Sequence, residues 1–149
     1  MIIQESEPVK IWYLEMHKRK ELRSKALPPD TQLVKFGTPL PAMNRFFYLE
    51  VGKKWQWTTR KSWTEQEWRD WADRKEIQTW MLLYQGTPAG YFELNTQEKD
   101  VELAYFGLLP PFLGKGLGAD YYPPQLKMHG ERKQVGFGCI PVALTILMR

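Results

Sequence analysis

Three short apolar runs joined by tight turns, closing on a glycine-rich loop, constrain this chain more than any other feature. Ile77 to Tyr84 is apolar, Gln85-Gly86-Thr87-Pro88 turns the chain, Ala89 to Leu94 follows, and the polar turn Asn95 to Asp100 leads into Val101 to Leu108. Connections this short join antiparallel neighbours, because a parallel pair needs a crossover of a dozen residues or more. Pro110-Pro111 ends the third strand, and Gly114-Lys115-Gly116-Leu117-Gly118 comes directly after it. Glycines at alternate positions admit positive φ and let a ligand approach the backbone. A helix opening at the loop turns free N–H groups and the positive end of its dipole toward an anion. With Lys115 beside it, the chemistry fits a pyrophosphate. The loop lacks the Gly-Lys-Ser/Thr ending of a nucleoside-triphosphate cradle. Gly114 to Ala119 can be forced onto the dinucleotide pattern G-x-G-x-x-A, but that pattern belongs in a parallel βαβ unit and here follows an antiparallel meander. A glycine-rich turn without a ligand fits the isolated motif equally well.

Upstream, Val9 to Met16 reads as a strand, rich in β-branched and aromatic residues. Leu27-Pro28-Pro29-Asp30 and Thr38-Pro39-Leu40-Pro41 mark loops. Ala42 to Val51 is expected to be a helix with Phe46, Phe47 and Leu49 turned inward and Gly52 closing it. Thr64 to Arg74 carries the strongest helix signal. Thr64 and Glu67 have capping-box spacing, and Trp68, Trp71 and Ala72 form one apolar stripe. At 149 residues with 43% hydrophobic and 26% charged residues, one globular domain is expected. The net charge of +4 suits an anionic ligand without demanding nucleic acid. A single cysteine, Cys139, forbids an internal disulfide, so a reducing cytoplasmic setting is expected. With two histidines it cannot build a four-ligand zinc site, and no metal is expected. The longest apolar stretch, Cys139 to Met148, is ten residues long and interrupted by Thr145. It is too short to span a bilayer, so membrane insertion is not expected.

Strand, turn, strand, turn, strand and then a glycine loop opening a helix resembles the core of the GNAT superfamily of acetyl-CoA-dependent N-acetyltransferases. Ala89 to Leu94 looks like its third strand, Val101 to Pro110 like its fourth, and Phe112 to Gly118 like its coenzyme A loop. On the family pattern Q/R-x-x-G-x-G/A, Gly116 and Gly118 match, and Leu113 replaces the polar first residue. The resemblance implies an α/β domain of GNAT type, with a mixed, mainly antiparallel sheet flanked by helices on both faces. It implies acetyl-CoA as cosubstrate, held by backbone groups near Phe106, Leu108 and Leu109. Amides of the loop from Leu113 and Gly114 through Lys115, Gly116, Leu117 and Gly118 to Ala119 would take the pyrophosphate. The acceptor implied is a small-molecule or peptide amine, and its proton needs a carboxylate. Glu102 ranks first because it lies on the strand that often carries the family's base. Glu93, on the neighbouring strand, ranks second. Either reads equally as a solvated strand residue.

All seven tryptophans lie between Trp12 and Trp80, and five of them share a segment with Lys53, Lys54, Arg60 and Lys61. In the family this region shapes the acceptor site, so Trp55 and Trp57 are candidate acceptor walls, by apolar contact or cation–π attraction. Stacking of single-stranded nucleic acid is the competing reading and is disfavoured. Packing is preferred for most of these rings. After Gly118 the resemblance stops, and the 31 residues that follow are too few for a full family C-terminus. Residues 119–149 are therefore an atypical, incomplete part of the single N-acetyltransferase-like domain 1–149. Read one base upstream, codons for Val135 to Arg149 permit tryptophan-valine-tryptophan-valine-histidine-threonine and a leucine-aspartate-histidine-proline run. That order looks like a fifth strand of related enzymes, so a frameshift near the codons for Gly118 to Pro124 is expected, and the gene sequence tests it. On this reading the fourth strand becomes an exposed edge. The uncharged run Val142 to Leu147 then leaves self-association as a homo-oligomer open. The function expected is acetyl transfer to a primary amine by direct attack, with a non-catalytic remnant that binds coenzyme A weakly or self-associates as the alternative.

Overall fold

A computed structural model describes residues 12–16, 27–55, 57–98, 100–117 and 144–148. Six strands form one sheet: β1 (Trp12–Met16), β2 (Thr31–Lys35), β3 (Ile77–Tyr84), β4 (Thr87–Gln97), β5 (Asp100–Leu108) and β6 (Leu144–Met148), in the order β1-β6-β5-β4-β3-β2. Every neighbouring pair is antiparallel except β1 and β6, so the sheet is mixed and mainly antiparallel, as the resemblance implied. The central meander follows from its turns. Gln85 and Gly86 both take positive φ between β3 and β4, and Glu98 does so between β4 and β5. Gly90 is required where those strands meet, since a Cβ there would stand 2.5 Å from the Gly107 carbonyl oxygen.

The structure adds one strand to those expected and changes one expectation. Thr31–Lys35, which the sequence did not mark as a strand, pairs with β3, whereas Trp12–Met16, inside the strand expected over Val9 to Met16, runs parallel to β6 at the other side of the sheet. The edge of β5, expected to be exposed, is covered at its start, because Leu147 and Met148 pair with Glu102 and Val101. Leu144 to Leu147, part of the run that left self-association open, thus lie in a strand of this sheet.

Helices α1 (Pro41–Gly52) and α2 (Glu65–Ala72) pack on one face. The capping box of α2 is formed, with the Glu67 carboxylate accepting from the Thr64 N–H at 2.6 Å and Thr64 Oγ1 accepting from the Glu67 N–H at 3.3 Å. The inward stripe of α1 is Asn44, Phe47, Tyr48 and Val51, a 3–4 spacing that leaves Phe46 on the exposed side and Leu49 at the margin. Gly52 lies inside the helix rather than after it. Phe47, Tyr48, Val51 and Trp68 meet Tyr91 and Leu109 in one core layer, with Phe47 stacked on Tyr91 at 4.8 Å between centroids. The other face carries a second layer around Trp80, Leu82, Phe92, Leu94, Leu103 and Leu117. The helices expected there fall after Gly118, outside the described residues.

Candidate active site

Register sets the site. Phe92 faces Phe106 and Glu93 faces Tyr105, but Leu94 faces Leu103, so Ala104 is an extra residue in β5. Such a bulge bends its strand and re-aims the side chains beside it. β6 meets β5 only at Val101 and Glu102, before the bulge. Beyond it β5 runs to Leu108, a 3₁₀ turn spans Pro110–Phe112, and the glycine loop follows.

In that loop Gly114 and Gly116 take φ of 76° and 75°, and a Cβ at either would meet nothing within 4 Å. Gly114, Lys115 and Gly116 are exposed, while Leu117 anchors the loop in the second core layer. Leu113 packs against that same layer, so its side chain belongs to the core. Lys115 Nζ hangs 5.8 Å from the rings of Tyr84 and Phe112. Gly118 and Ala119 lie outside the described residues. Among the strand residues, Leu108 pairs with Gly90. The Leu109 N–H donates to the Ala89 carbonyl at 2.8 Å, and its own carbonyl accepts from Phe112 at 3.0 Å. Leu109 therefore has no N–H left for a ligand. Phe106 packs against the second core layer.

The two candidate carboxylates differ sharply. Glu93 is fully buried. Its Oε1 accepts from Asn44 Nδ2 at 2.8 Å, and its Oε2 from Trp71 Nε1 at 2.8 Å and Arg60 at 3.4 Å. The Arg60 guanidinium lies 3.9 Å from the Trp71 ring centre, 4.2 Å from that of Tyr105 and 4.4 Å from that of Trp63. The Arg60 N–H donates to the Tyr48 hydroxyl. Arg60 and Glu93 thus tie the segment between α1 and α2 onto β4 and β5. Glu102 is half-buried and, among the described residues, takes one hydrogen bond, from Asn95 Nδ2 at 3.2 Å. Asn95 faces Glu102 across the strands and shares the helix-covered face with Glu93, two residues away. Burial pushes the Tyr91 hydroxyl well above its ordinary pKa of 10.0, with the Glu93 charge adding to the effect and Arg60 opposing it. Burial likewise raises Tyr105, again against Arg60.

Of the two acceptor-wall candidates, Trp57 is 9% exposed and packs edge-on against Tyr105 at 5.0 Å. Trp55 is half-buried at the margin of the same layer. Sequence patterning passed over Arg60, Asn44 and Tyr105. The one available signal was the arginine set among tryptophans, since a guanidinium stacks on aromatic faces. Asn95, expected in a turn, stands inside β4.

The model of the acetyltransferase (GNAT) family matches residues 43–121, more than half of the chain. The chain belongs to that family. A search of curated protein sequences gives no significant match. Among solved structures, the ribosomal-protein-S18-alanine N-acetyltransferase of Escherichia coli superposes with a TM-score of 0.53 at 12% identity, over 72% of this chain and 65% of that one. A GCN5-related N-acetyltransferase from Kribbella flavida gives 0.51 at 13%, over 87% and 44%. An aminoglycoside acetyltransferase from an uncultured soil metagenomic sample gives 0.53 at 7%, over 74% and 78%. The chain spans about two thirds of the first of these structures and under half of the second, and identities this low establish a shared fold.

Proposed function

We propose that the chain is an N-acetyltransferase that moves an acetyl group from acetyl-CoA to a primary amine by direct attack. The observation that carries this reading is a bulged strand running into an exposed loop with two positive-φ glycines. Side-chain space at both is open, so a ligand can reach the backbone there. We read this loop as a cradle for a pyrophosphate, with the amides of Gly114, Lys115, Gly116 and Leu117 as donors and the charge of Lys115 beside them. Gly118 and Ala119 continue the family motif. Phe106 and Leu108 are the strand positions proposed to offer backbone to the pantetheine arm. Acetyl-CoA supplies the activated acyl group.

Glu102 is the proposed proton acceptor. Among the described residues its carboxylate has one donor, and it has partial access to solvent, so it can take a proton and return it to water. Glu93 is the weaker choice, because both of its oxygens are engaged by protein donors behind closed packing. The amine nitrogen bonds to the acetyl carbon as the carbon–sulfur bond breaks. The amine proton passes to Glu102, and the departing thiolate takes one from solvent. Trp55 is the proposed acceptor wall, with Trp57 holding its segment against Tyr48 and Tyr105. Aminoglycosides and an alanine of a ribosomal protein are named for the similar structures, so amines of those kinds are the first to try.

Calorimetry with coenzyme A tests the cradle, and binding is expected to weaken at least tenfold in Gly116→Val. Turnover with an alanine-starting peptide, an aminoglycoside, an amino sugar and free lysine tests the reaction. Binding without turnover of any amine leaves a coenzyme A-binding remnant. No binding at all overturns the reading.

A further inference from the structure

We propose that Asn95 is a positioning residue for Glu102, retained at the expense of fold stability. The inference rests on the proton-acceptor role given to Glu102 above. Asn95 stands on β4 directly opposite Glu102, and its Nδ2 donates to Glu102 Oε2 at 3.2 Å. Asn95 is 3% exposed, yet its Oδ1 is buried with no hydrogen-bond partner among the described residues. Packing alone does not explain an amide there. A buried acceptor without a partner destabilises the fold, and an apolar side chain of the same shape would avoid the penalty. Leucine is close in shape to asparagine, and its strand neighbour on the other face is already Leu94.

The amide has a property that leucine lacks, because it carries a donor and an acceptor on one pivot. Nδ2 donates to Glu102 while that group is a carboxylate. Once Glu102 holds the amine proton it becomes a donor, and a half-turn of the amide offers it Oδ1. Asn95 thus accompanies the acceptor through both of its protonation states. The backbone pair fixes where Glu102 starts, and the Asn95 amide fixes which of its oxygens is held and which stays open to the amine.

Three variants test this in the full chain: Asn95→Leu, Asn95→Asp and Glu102→Gln. Asn95→Leu is expected to unfold at the same temperature or higher while kcat drops about tenfold, with KM for acetyl-CoA unchanged. Asn95→Asp keeps the shape, sets a like charge against Glu102, and is expected to lose at least as much at neutral pH. A merely structural asparagine predicts the reverse, with stability and kcat falling together in Asn95→Leu. A second readout needs no turnover. In nitrogen-15 NMR the Asn95 side-chain amide signals are expected to lie downfield in the wild-type chain, where the Glu102 carboxylate accepts from Nδ2, and to move upfield in Glu102→Gln. Turnover is read with whichever of the four amines above reacts fastest in the wild-type chain. If Glu102→Gln retains wild-type turnover, the proton-acceptor reading fails. If Glu102→Gln is inactive while Asn95→Leu keeps its kcat, or the amide signals stay still, the positioning inference alone is overturned.

Discussion

The Arg60–Glu93 box and the loop from Leu113 to Leu117 handle charge in opposite ways. In the box, side chains do all of the work. A buried carboxylate receives Asn44, Trp71 and Arg60, and the arginine is walled by Trp63, Trp71 and Tyr105. The carboxylate's partners all come from the chain itself. In the loop, side chains contribute little. Two glycines in left-handed conformation stand exposed with open space around them, and Lys115 supplies the only side-chain charge of that stretch. A charged group saturated from within holds a fold together, whereas exposed backbone amides remain available for a ligand. The box and the loop should therefore answer to different measurements.

The largest effect is expected in the box. Glu93→Leu leaves the Arg60 guanidinium buried beside aromatic rings with no anion, and removing one partner of a buried pair costs about 3–5 kcal/mol. Urea unfolding should show it, and adding Arg60→Leu should recover most of the loss, because the stranded charge goes too. A loss below about 1 kcal/mol for Glu93→Leu would mean that the pair does not hold the α1–α2 segment. The loop should behave inversely. Gly116→Val forces a β-branched residue to φ near 75°, for about 1–2 kcal/mol of stability, but its new methyls enter the cradle. Coenzyme A binding by calorimetry should weaken at least tenfold, a loss of about 1.4 kcal/mol or more. Unchanged affinity would remove the loop from the binding site.

The parts of this structure legible in the sequence are those fixed by local rules. The β3–β4–β5 meander followed from turn residues, and α2 from Thr64 and Glu67, whose hydrogen bonds need nothing beyond one turn of chain. The loop glycines were legible because positive φ selects glycine itself. What failed depends on distant partners. Thr31–Lys35 has only Leu33 and Val34 as apolar residues and gains its strand from pairing with β3. Phe46 was expected inward, but polar-tipped Asn44 and Tyr48 take those places because Glu93, Thr79 and Thr59 wait to bond them. Asn95 looked like turn chemistry, and only the register with Glu102 puts it in a strand. Arg60 stood in the sequence only as one of four cations among tryptophans, and it is Trp71 and Tyr105, from two other parts of the chain, that close around it beside its neighbour Trp63.

A smaller effect tests how far local order stands apart from both regions. Thr64→Ala removes the acceptor for the Glu67 N–H at the start of α2 and should cost about 1 kcal/mol. Since α2 carries Trp71 into the box, the cost should add to that of Glu93→Leu only if the cap and the box are independent, and a double-mutant cycle reads the difference.

The smallest effect at neutral pH sharpens the comparison most. Tyr91 stands in the box layer with a buried hydroxyl that has no partner, so Tyr91→Phe deletes an unmet polar group and keeps the ring stacked on Phe47. Stability at pH 7 should change by less than about 1 kcal/mol, and upward. The alkaline side is different. Burial raises the Tyr91 hydroxyl well above 10.0, so the folded chain keeps a proton there that the unfolded chain releases near pH 10. The stability linked to that proton is fully present below about pH 10 and is lost as the pH climbs toward the folded-state value. Tyr105 is raised in the same direction and contributes a parallel loss. Unfolding midpoints in urea between about pH 9 and 11 should fall less steeply in Tyr91→Phe than in the wild type, by about 1.4 kcal/mol per pH unit for one proton. Coincident slopes would mean that Tyr91 ionises as freely in the fold as in the unfolded chain, and the helix-covered layer would then be wetter than its packing implies.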